Sequence, residues 1–229
     1  MKLGAMQPYF LPYIGYFQLI KAVDKYVICD DVNYIKNGWI NRNNILVNHE
    51  KKLFTIKLKK SSQNKLINEI EIEDDFRSWL KTIQVNYAKA PYFKNVVPLL
   101  ENMVFYENRS LSDFIINSLK EILSYLHIDT PLLISSQLKK DCSLKGKDKV
   151  INMCDILGAD VYINAIGGQK LYDKEDFASH GIDLRFINSE IVPYKQLKNE
   201  FIPCMSILDV MMFNSVEEVN SMLDKYKLI

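Results

Sequence analysis

The stretch AMQPYFLPYIGYFQLIKAVDKYVICDDVNY, residues 5–34, decides the fold. Residues 3–6 predict a short buried strand that runs into a corner rich in proline and tyrosine. Apolar side chains then recur at the spacing of one helix face, at Tyr13, Tyr16, Phe17 and Ile20. The apolar run KYVICDD predicts a second strand. A strand, a tight turn, a helix and a second strand in this order are typical of a βαβ crossover unit.

The second half of the chain repeats this alternation. Short apolar runs predict strands at PLLISS (131–136), DVYINA (160–165) and IDLRFINS (182–189). The segments between them predict helices at 145–159 and 174–181. Strands separated by helices favour parallel pairing. We therefore predict an α/β fold with a doubly wound, mostly parallel, Rossmann-like sheet of about five parallel strands.

A hairpin and a helical block interrupt the alternation. KLFTIKL (52–58) and INEIEIE (67–73) have alternating apolar residues and predict an extended hairpin or edge strands. Residues 74–127 predict three helices. The tail predicts two more helices, at about 206–213 and 215–226. We interpret 1–229 as a single α/β domain with a helical insertion at 74–127.

Composition and charge argue against several classes of protein. The net charge of +1 gives no reason to expect non-specific binding to nucleic acid or to a membrane. No apolar run reaches the ~18 residues that cross a bilayer. Glutamine, proline and glycine interrupt the N-terminal apolar stretch, which argues against a signal peptide, so we predict a cytoplasmic protein. No pair of cysteines forms a C-x-x-C motif and the three histidines are far apart, so no metal site is predicted.

The corner after the first strand is the first candidate site. In a doubly wound sheet, ligands bind outside the carboxyl ends of the strands. Gln7 could offer its amide to a base or sugar, and Tyr9 could stack on a ring. The alternative is a rigid turn whose aromatic residues fill the core, and this alternative is the better one for Tyr16 and Phe17 because they lie on the helix stripe.

Asp30 and Asp31, at the end of the second strand, are the second candidate. Carboxylates at this place could hold ribose hydroxyls, a metal ion or an amine. Adjacent strand residues point to opposite faces, so only one of the two is expected to face a given site. The alternative is a solvated strand end or a helix cap.

The basic segment KNGWINRNN, residues 36–44, is the third candidate. Arg42 lies between two asparagines, with Lys36 and Trp39 close by in sequence. A guanidinium grips a phosphate or carboxylate with two hydrogen bonds. The segment therefore predicts a loop that closes on a nucleotide diphosphate, and the alternative is a polar surface loop.

The fourth candidate is the glycine turn GGQKLY, which comprises residues 167–172. Gly167 and Gly168 follow a predicted strand, where glycine lets the backbone approach a ligand closely. The turn matches neither the Walker pattern nor G-x-G-x-x-G. The sequence also contains no G-x-S-x-G or H-E-x-x-H motif and no evident Ser-His-Asp triad.

Five segments, in order along the chain, resemble the WbqC-like family of bacterial proteins. They are MQPYFLPYIGYFQLI, DDVNYIKNGWINRN, KAPYF, GGQKLY and FIPCMSILDVM. The similarity extends over essentially the whole chain. Members of the family are encoded with surface-polysaccharide and O-antigen genes, and the resemblance implies attachment of glycine or another small acyl group to an amino sugar.

The resemblance also identifies positions of this chain that match the motifs of the family. The matching positions are Gln7, Pro8, Tyr9, Pro12, Gly15, Tyr16, Asp31, Lys36, Trp39, Asn41, Arg42, Tyr172, Ser206 and Asp209. Met6 stands where the commonest opening of the family has a histidine. If that histidine were the general base, this protein would need another base, so Met6 argues against that role.

A second resemblance concerns the fold. The first βαβ unit resembles the start of the nucleotidyltransferase superfamily, in which the turn carries H-x-G-H. Here the four residues are Tyr13-Ile14-Gly15-Tyr16, and tyrosine donates a hydrogen bond but carries no positive charge. The resemblance implies a nucleotidyltransferase/Rossmann-like fold without the phosphate chemistry of the histidines. One branch of that superfamily joins a carboxylate to an amine through an acyl-adenylate.

The leading hypothesis is an enzyme of surface-polysaccharide biosynthesis. It would form an amide by acyl or aminoacyl transfer to a nucleotide-linked amino sugar. The predicted catalytic residues are Asp31, which would orient or deprotonate the amine, and Tyr16. The predicted substrate-binding residues are Gln7, Tyr9, Lys36, Trp39, Asn41, Arg42, Gly167, Gly168 and Tyr172. Tyr9 and Arg42 are expected to contact the same ligand.

Two alternatives stay open. One is an ATP-dependent ligase or nucleotidyltransferase of the same fold, and the other is a non-catalytic nucleotide-sugar-binding protein. The ligase would need ATP and Mg²⁺, whereas the transferase would need an acyl donor such as coenzyme A. In each case the expected partner is a small molecule, and neither nucleic acid nor a membrane.

Overall fold

A computed structural model describes residues 1–197 and 200–229. Its strands are β1 (Lys2–Met6), β2 (Lys25–Ile28), β3 (Arg42–Val47), β4 (Glu50–Thr55), β5 (Leu58–Lys59), β6 (Glu71–Ile72), β7 (Leu132–Ile134), β8 (Val161–Ala165), β9 (Asp183–Ser189) and β10 (Tyr226–Leu228). Its α-helices are α1 (Ile14–Lys21), α2 (Arg77–Tyr87), α3 (Phe93–Val104), α4 (Leu111–Tyr125), α5 (Gly146–Leu157), α6 (Lys174–Ala178), α7 (Ile207–Phe213) and α8 (Val216–Leu223).

The central sheet has six strands in the order β10-β9-β8-β1-β2-β7. Five of them are parallel, and β10 pairs antiparallel with β9 at one edge. The chain moves outward from β1 through β2 to β7, and then returns to the other side of β1 at β8. This reversal places the topological switch point between β1 and β8, where doubly wound proteins bind their ligands.

Both faces of the sheet are covered, as a parallel sheet requires. Alternate strand residues face two separate apolar cores, with Tyr26 and Ile28 in one core and Val27 in the other. Helices α1, α7 and α8 contribute to the first core, and α5 and α6 to the second. The predicted doubly wound, mostly parallel α/β fold is confirmed.

The small sheets differ from the prediction. The hairpin pairs β3 with β4, so β3 lies in a segment that the sequence indicates as a polar loop. Residues 67–69 form a 3₁₀ helix, and only β6 of the INEIEIE run is a strand, in a two-residue pairing with β5. Neither pair belongs to the edge of the central sheet. The alternation of apolar residues therefore indicates burial of one face of each segment, but it does not identify which strands pair with each other.

Two further details correct the sequence interpretation. The last predicted helix is shorter than expected, because α8 ends at Leu223 and β10 follows it. The sequence favours Pro12 in the first turn of the helix, where its missing N–H costs nothing, but Pro12 lies before the N-cap Tyr13 and outside the first turn of α1. The three helices α2, α3 and α4 lie within 74–127, as predicted. None of the helices in the described part of the chain combines the length and apolar character that crossing a bilayer requires.

Candidate functional site

A cavity of about 420 Å³ lies at the switch point, and we call it the switch cavity. Its wall includes residues at the carboxyl ends of β1, β2 and β8 and at the start of α5, among them Met6, Gln7, Tyr9, Cys29, Gly146, Lys149, Asn164, Gly167, Gly168 and Tyr172. Its volume falls within the ~300–1,000 Å³ of small-molecule sites. Gln7, Tyr9, Gly167, Gly168 and Tyr172 are residues that the sequence predicts to bind substrate.

The corner that forms one wall of the switch cavity is tied down by distant segments. Leu11 has a left-handed backbone, with φ of 47°. Its carbonyl oxygen accepts hydrogen bonds from Asn43 Nδ2 at 2.7 Å and from Ser206 Oγ at 2.9 Å. The carbonyl of Pro12 accepts a further bond from the backbone N–H of Ile207 at 2.8 Å. These bonds hold a strained turn in one conformation, with Tyr9 on the cavity side.

Tyr16, one of the two predicted catalytic residues, lies in the core. Its ring is fully buried, and its hydroxyl donates to the carbonyl of Gln7 at 2.9 Å. Burial raises the pKa of Tyr16 well above its ordinary value, so the hydroxyl stays neutral. Tyr16 does not border the switch cavity. We keep for it a positioning role, in which it fixes the backbone of Gln7.

Asp30 is a structural residue. Its buried carboxylate accepts hydrogen bonds from the backbone N–H of Ser136 at 2.9 Å, from Ser136 Oγ at 2.6 Å and from Asn68 Nδ2 at 3.2 Å. These partners come after β7 and from the 3₁₀ helix at 67–69. Asp30 thereby ties both segments to the end of β2.

Asp31 forms a paired cluster with two lysines that the sequence interpretation missed. Asp31 Oδ2 accepts from Lys140 Nζ and Oδ1 accepts from Lys149 Nζ, each at 2.7 Å. Burial alone would raise the pKa of Asp31, but the bonds from Lys140, Lys149 and Ser135 lower it to about 2. A carboxylate with such a pKa is a weak base at neutral pH. Asp31 itself does not line the switch cavity and is joined to it through Lys149, so its predicted role toward an amine stays a prediction.

The glycine turn supports a polar side chain at the cavity wall. A Cβ atom on Gly168 would lie 2.3 Å from Asn164 Nδ2, whereas one on Gly167 would meet no atom within 4 Å. Asn164 Oδ1 accepts from the N–H of Ala165 at 2.8 Å, which leaves Nδ2 as a donor. Gly168 thus makes room for the Asn164 amide.

Polar side chains of the basic segment are engaged in hydrogen bonds within the protein, and those of Arg42 are made to the segment's own backbone. Arg42 Nε donates to the carbonyl of Gly38 at 2.6 Å, and its Nη2 donates to the carbonyl of Asn37. Asn41 is buried, accepting from Tyr34 Oη at 2.9 Å and donating to the carbonyl of Ile56 at 2.8 Å. Lys36, Asn41 and Arg42 border a separate depression of about 280 Å³ that includes neither Gln7 nor Tyr9.

Trp39 does lie near the corner, in what we call the aromatic pocket. This pocket of about 280 Å³ is lined by Tyr9, Pro12, Tyr13, Trp39, Asn43, Asn44, Lys51 and Cys204. Trp39 is 49% exposed, and the guanidinium carbon of Arg42 lies 5.7 Å from its ring centroid. Tyr9 borders both the aromatic pocket and the switch cavity. The two cavities therefore share Tyr9 as a residue of their walls.

Ser206 and Asp209, from the segment FIPCMSILDVM, make structural contacts that support the corner. Ser206 caps α7, and Asp209 is buried on that helix. Asp209 accepts hydrogen bonds from Tyr87 Oη, Tyr194 Oη and Gln196 Nε2 at 2.9, 2.6 and 2.8 Å. Burial raises the pKa of Asp209, against the lowering effect of these three donors. Both positions are explained by structural contacts.

The residues that the sequence interpretation missed had weak signals. Lys140 and Lys149 stand 9 residues apart in a segment with many lysines, so nothing in the spacing singles them out. Asn164 sits inside a predicted strand, DVYINA, where an asparagine at the carboxyl end of a strand was the available signal.

The fold and the cavities define a class: a doubly wound α/β protein with a ligand cavity at the switch point of its sheet. A model of the WbqC-like protein family matches residues 7–221, and the chain belongs to this family. The chain is also 29% identical over 217 residues to "Uncharacterized protein Rv1507c" of Mycobacterium tuberculosis, with 92% of each chain covered. No solved structure matches the chain significantly.

Proposed function

We propose that the protein is an enzyme of bacterial surface-polysaccharide, or O-antigen, biosynthesis that transfers an acyl or aminoacyl group to a nucleotide-linked amino sugar. Membership of the WbqC-like family supports the pathway. The observation that carries the proposal is that Tyr9 lines two neighbouring cavities. A nucleotide-linked sugar has two parts, and the pair of cavities offers each part its own surroundings.

In this arrangement the sugar ring occupies the aromatic pocket. Trp39 and Tyr13 are both partly exposed there, and aromatic faces favour stacking on the apolar face of a sugar. Asn44 and Lys51, which also line the pocket, offer polar groups to the sugar hydroxyls. The nucleotide part lies in the switch cavity, where Gln7 and Asn164 provide amide donors.

The transfer itself needs an activated acyl donor, either a thioester or an acyl-adenylate. The amine nitrogen of the sugar bonds to the acyl carbon, the bond from that carbon to sulfur or phosphate oxygen breaks, and the amine proton leaves with the leaving group or to solvent. Asp31 contributes by holding Lys149 at the cavity. A donor of the acyl-adenylate type would be made by the ligase alternative.

A second candidate is a non-catalytic nucleotide-sugar-binding protein. The observation that favours it is the state of the two predicted catalytic residues, since Tyr16 is buried and Asp31 is paired with two lysines. This candidate predicts binding of the nucleotide sugar without any change in its mass.

Thermal unfolding against a panel of ligands tests the proposal. The panel holds UDP- and dTDP-linked amino sugars, ATP with Mg²⁺, coenzyme A and glycine. A ligand at ~100 times its dissociation constant adds about 2.7 kcal/mol of stability. We expect a shift with a nucleotide amino sugar that Tyr9→Ala reduces and Phe105→Ala keeps, since Phe105 is exposed and lines neither cavity.

Mass spectrometry of the sugar then separates the candidates. An added acyl or glycyl group supports the transferase. A shift without a change in mass with any donor supports the binding protein. Release of pyrophosphate and AMP from ATP and Mg²⁺ supports the ligase, and no shift with any nucleotide sugar overturns the proposal.

A further inference from the structure

The cluster Lys140–Asp31–Lys149 lies at the edge of the switch cavity. The buried ammonium of Lys140, with a side chain 1% exposed, binds Asp31 Oδ2 at 2.7 Å and the carbonyl of Ser135. Lys149, with a side chain 12% exposed, binds Asp31 Oδ1 at 2.7 Å and the Asp31 carbonyl at 3.1 Å. Lys149 borders the cavity and Lys140 does not.

We infer that Lys149 is the phosphate-binding group of the switch cavity and that Lys140 positions it by neutralising Asp31. This inference rests on the proposed function and deepens it. It assigns the anionic part of the ligand to Lys149, a role that the sequence interpretation gave to Lys36 and Arg42.

The charges of the cluster support this assignment. Two ammonium groups and one carboxylate leave one positive charge, because the low pKa of Asp31 keeps it ionised. An ammonium has three N–H donors. Lys149 donates two of its N–H groups to Asp31, so one N–H stays free for a ligand. Without Lys140, Asp31 and Lys149 would form a neutral pair.

The surroundings of Lys149 favour an anion. Among the described residues that line the switch cavity, Lys149 is the one with a charged side chain. Gln7 and Asn164, which also line it, carry neutral amide donors. The side chain of Lys149 is mostly buried, so water screens its charge less than a charge at the surface, and an anionic group gains more from it there. A phosphate accepts charge-assisted hydrogen bonds from an ammonium and from amides together.

Calorimetric titration with inorganic pyrophosphate at low and high salt tests the inference. Lys149→Met should weaken binding about ten- to hundredfold, because a charge-assisted hydrogen bond is lost. Lys147→Met is the matched control, since Lys147 is on the same helix, is exposed and pairs with Asp176. This control should retain its affinity. Pyrophosphate binding that Lys149→Met leaves unchanged overturns the inference, as does no binding by the native protein.

The positioning role of Lys140 has its own readout. Lys140→Met should weaken pyrophosphate binding, and Lys140→Arg should restore it. The double variant Lys140→Met with Asp31→Asn again leaves one positive charge, so its affinity should recover relative to Lys140→Met. A purely structural lysine would show no recovery, and that result would refute the charge argument. If Lys140→Met fails to fold, the double variant and Lys140→Arg are compared with the native protein, and a double variant that folds but binds pyrophosphate far more weakly than the native protein refutes the charge argument.

The same variants separate this inference from the proposed function. Pyrophosphate binding through Lys149 without any change in the mass of a nucleotide sugar would keep the inference and remove the transferase. Acylation of a nucleotide sugar at the native rate and KM by Lys149→Met would keep the transferase and overturn the inference.

Discussion

The opening corner, residues 7–12, and the basic loop, which is residues 36–42 of the basic segment, are both predicted to hold the ligand, but the structure engages their polar groups differently. The corner is fixed by donors from elsewhere in the chain, with Asn43 and Ser206 bonded to Leu11. The loop is bonded from outside at Asn41, which contacts Tyr34 and Ile56, but its cation is bonded from within, because Arg42 donates to the carbonyls of Gly38 and Asn37. The corner is tied through backbone carbonyls and can present a side chain such as Tyr9 to a cavity, whereas the Nε and Nη2 donors of Arg42 are already engaged.

The largest expected effect concerns the tethers of the corner. The double variant Asn43→Ala and Ser206→Ala leaves the buried carbonyl of Leu11 without these two donors and removes the cap of α7. It should lower the free energy of unfolding by about 2–4 kcal/mol. Arg42→Ala, in the partly exposed loop, should cost about 0.5–1.5 kcal/mol through its lost hydrogen bonds to Gly38 and Asn37. Urea unfolding measures both, and equal losses would break the contrast.

The next effect concerns ligand binding by the same two regions. Tyr9 borders both cavities, and Arg42 borders neither. Tyr9→Ala should weaken binding of a UDP-linked amino sugar about tenfold or more through lost stacking. Arg42→Ala should change it less, by about threefold at most, through its contact with Trp39. Similar losses for both variants would restore the single shared site that the sequence predicts.

Much of the fold was predictable because it depends on local patterns. The five parallel strands follow short apolar runs, and α5 ends at a left-handed glycine, Gly158, as the sequence suggests. The pairing of β3 with β4 was not predictable in this way. Asn41 and Asn43 give the segment a polar appearance, but both are buried and their amides bond to backbone carbonyls. Composition alone does not distinguish such asparagines from those of a solvated loop.

The site was predictable where it depends on topology and not where it depends on long-range pairing. Gln7, Gly167 and Gly168 follow strands that meet at the switch point, so their meeting in one cavity follows from strand order. The partners of Asp31 lie more than 100 residues away along the chain. No spacing rule connects them, and the three-dimensional fold was needed to find them.

A smaller effect separates the two glycines of the cavity wall. Gly168→Ala brings a Cβ atom to 2.3 Å from Asn164 Nδ2, which must displace that side chain. We expect a loss of about 1–2 kcal/mol of stability and weaker ligand binding. Gly167→Ala meets no atom within 4 Å and should change both quantities little. Equal effects on thermal unfolding and on affinity would show that the position of Asn164 does not matter.

The smallest effect tests the corner from within. Tyr16→Phe removes the hydrogen bond to the Gln7 carbonyl, and the ring stays in the core. Since such a bond contributes a net ~0.5–1.5 kcal/mol, the free energy of unfolding should fall by that amount.

If Tyr16 only positions Gln7, product formation with a nucleotide amino sugar should persist at a reduced rate. Complete loss of turnover in a variant that still binds the sugar would return Tyr16 to the chemistry. That outcome would require the corner to open, since the hydroxyl is now enclosed and points at backbone. The corner would then be a moving part, and the contrast with the loop would concern motion as well as anchoring.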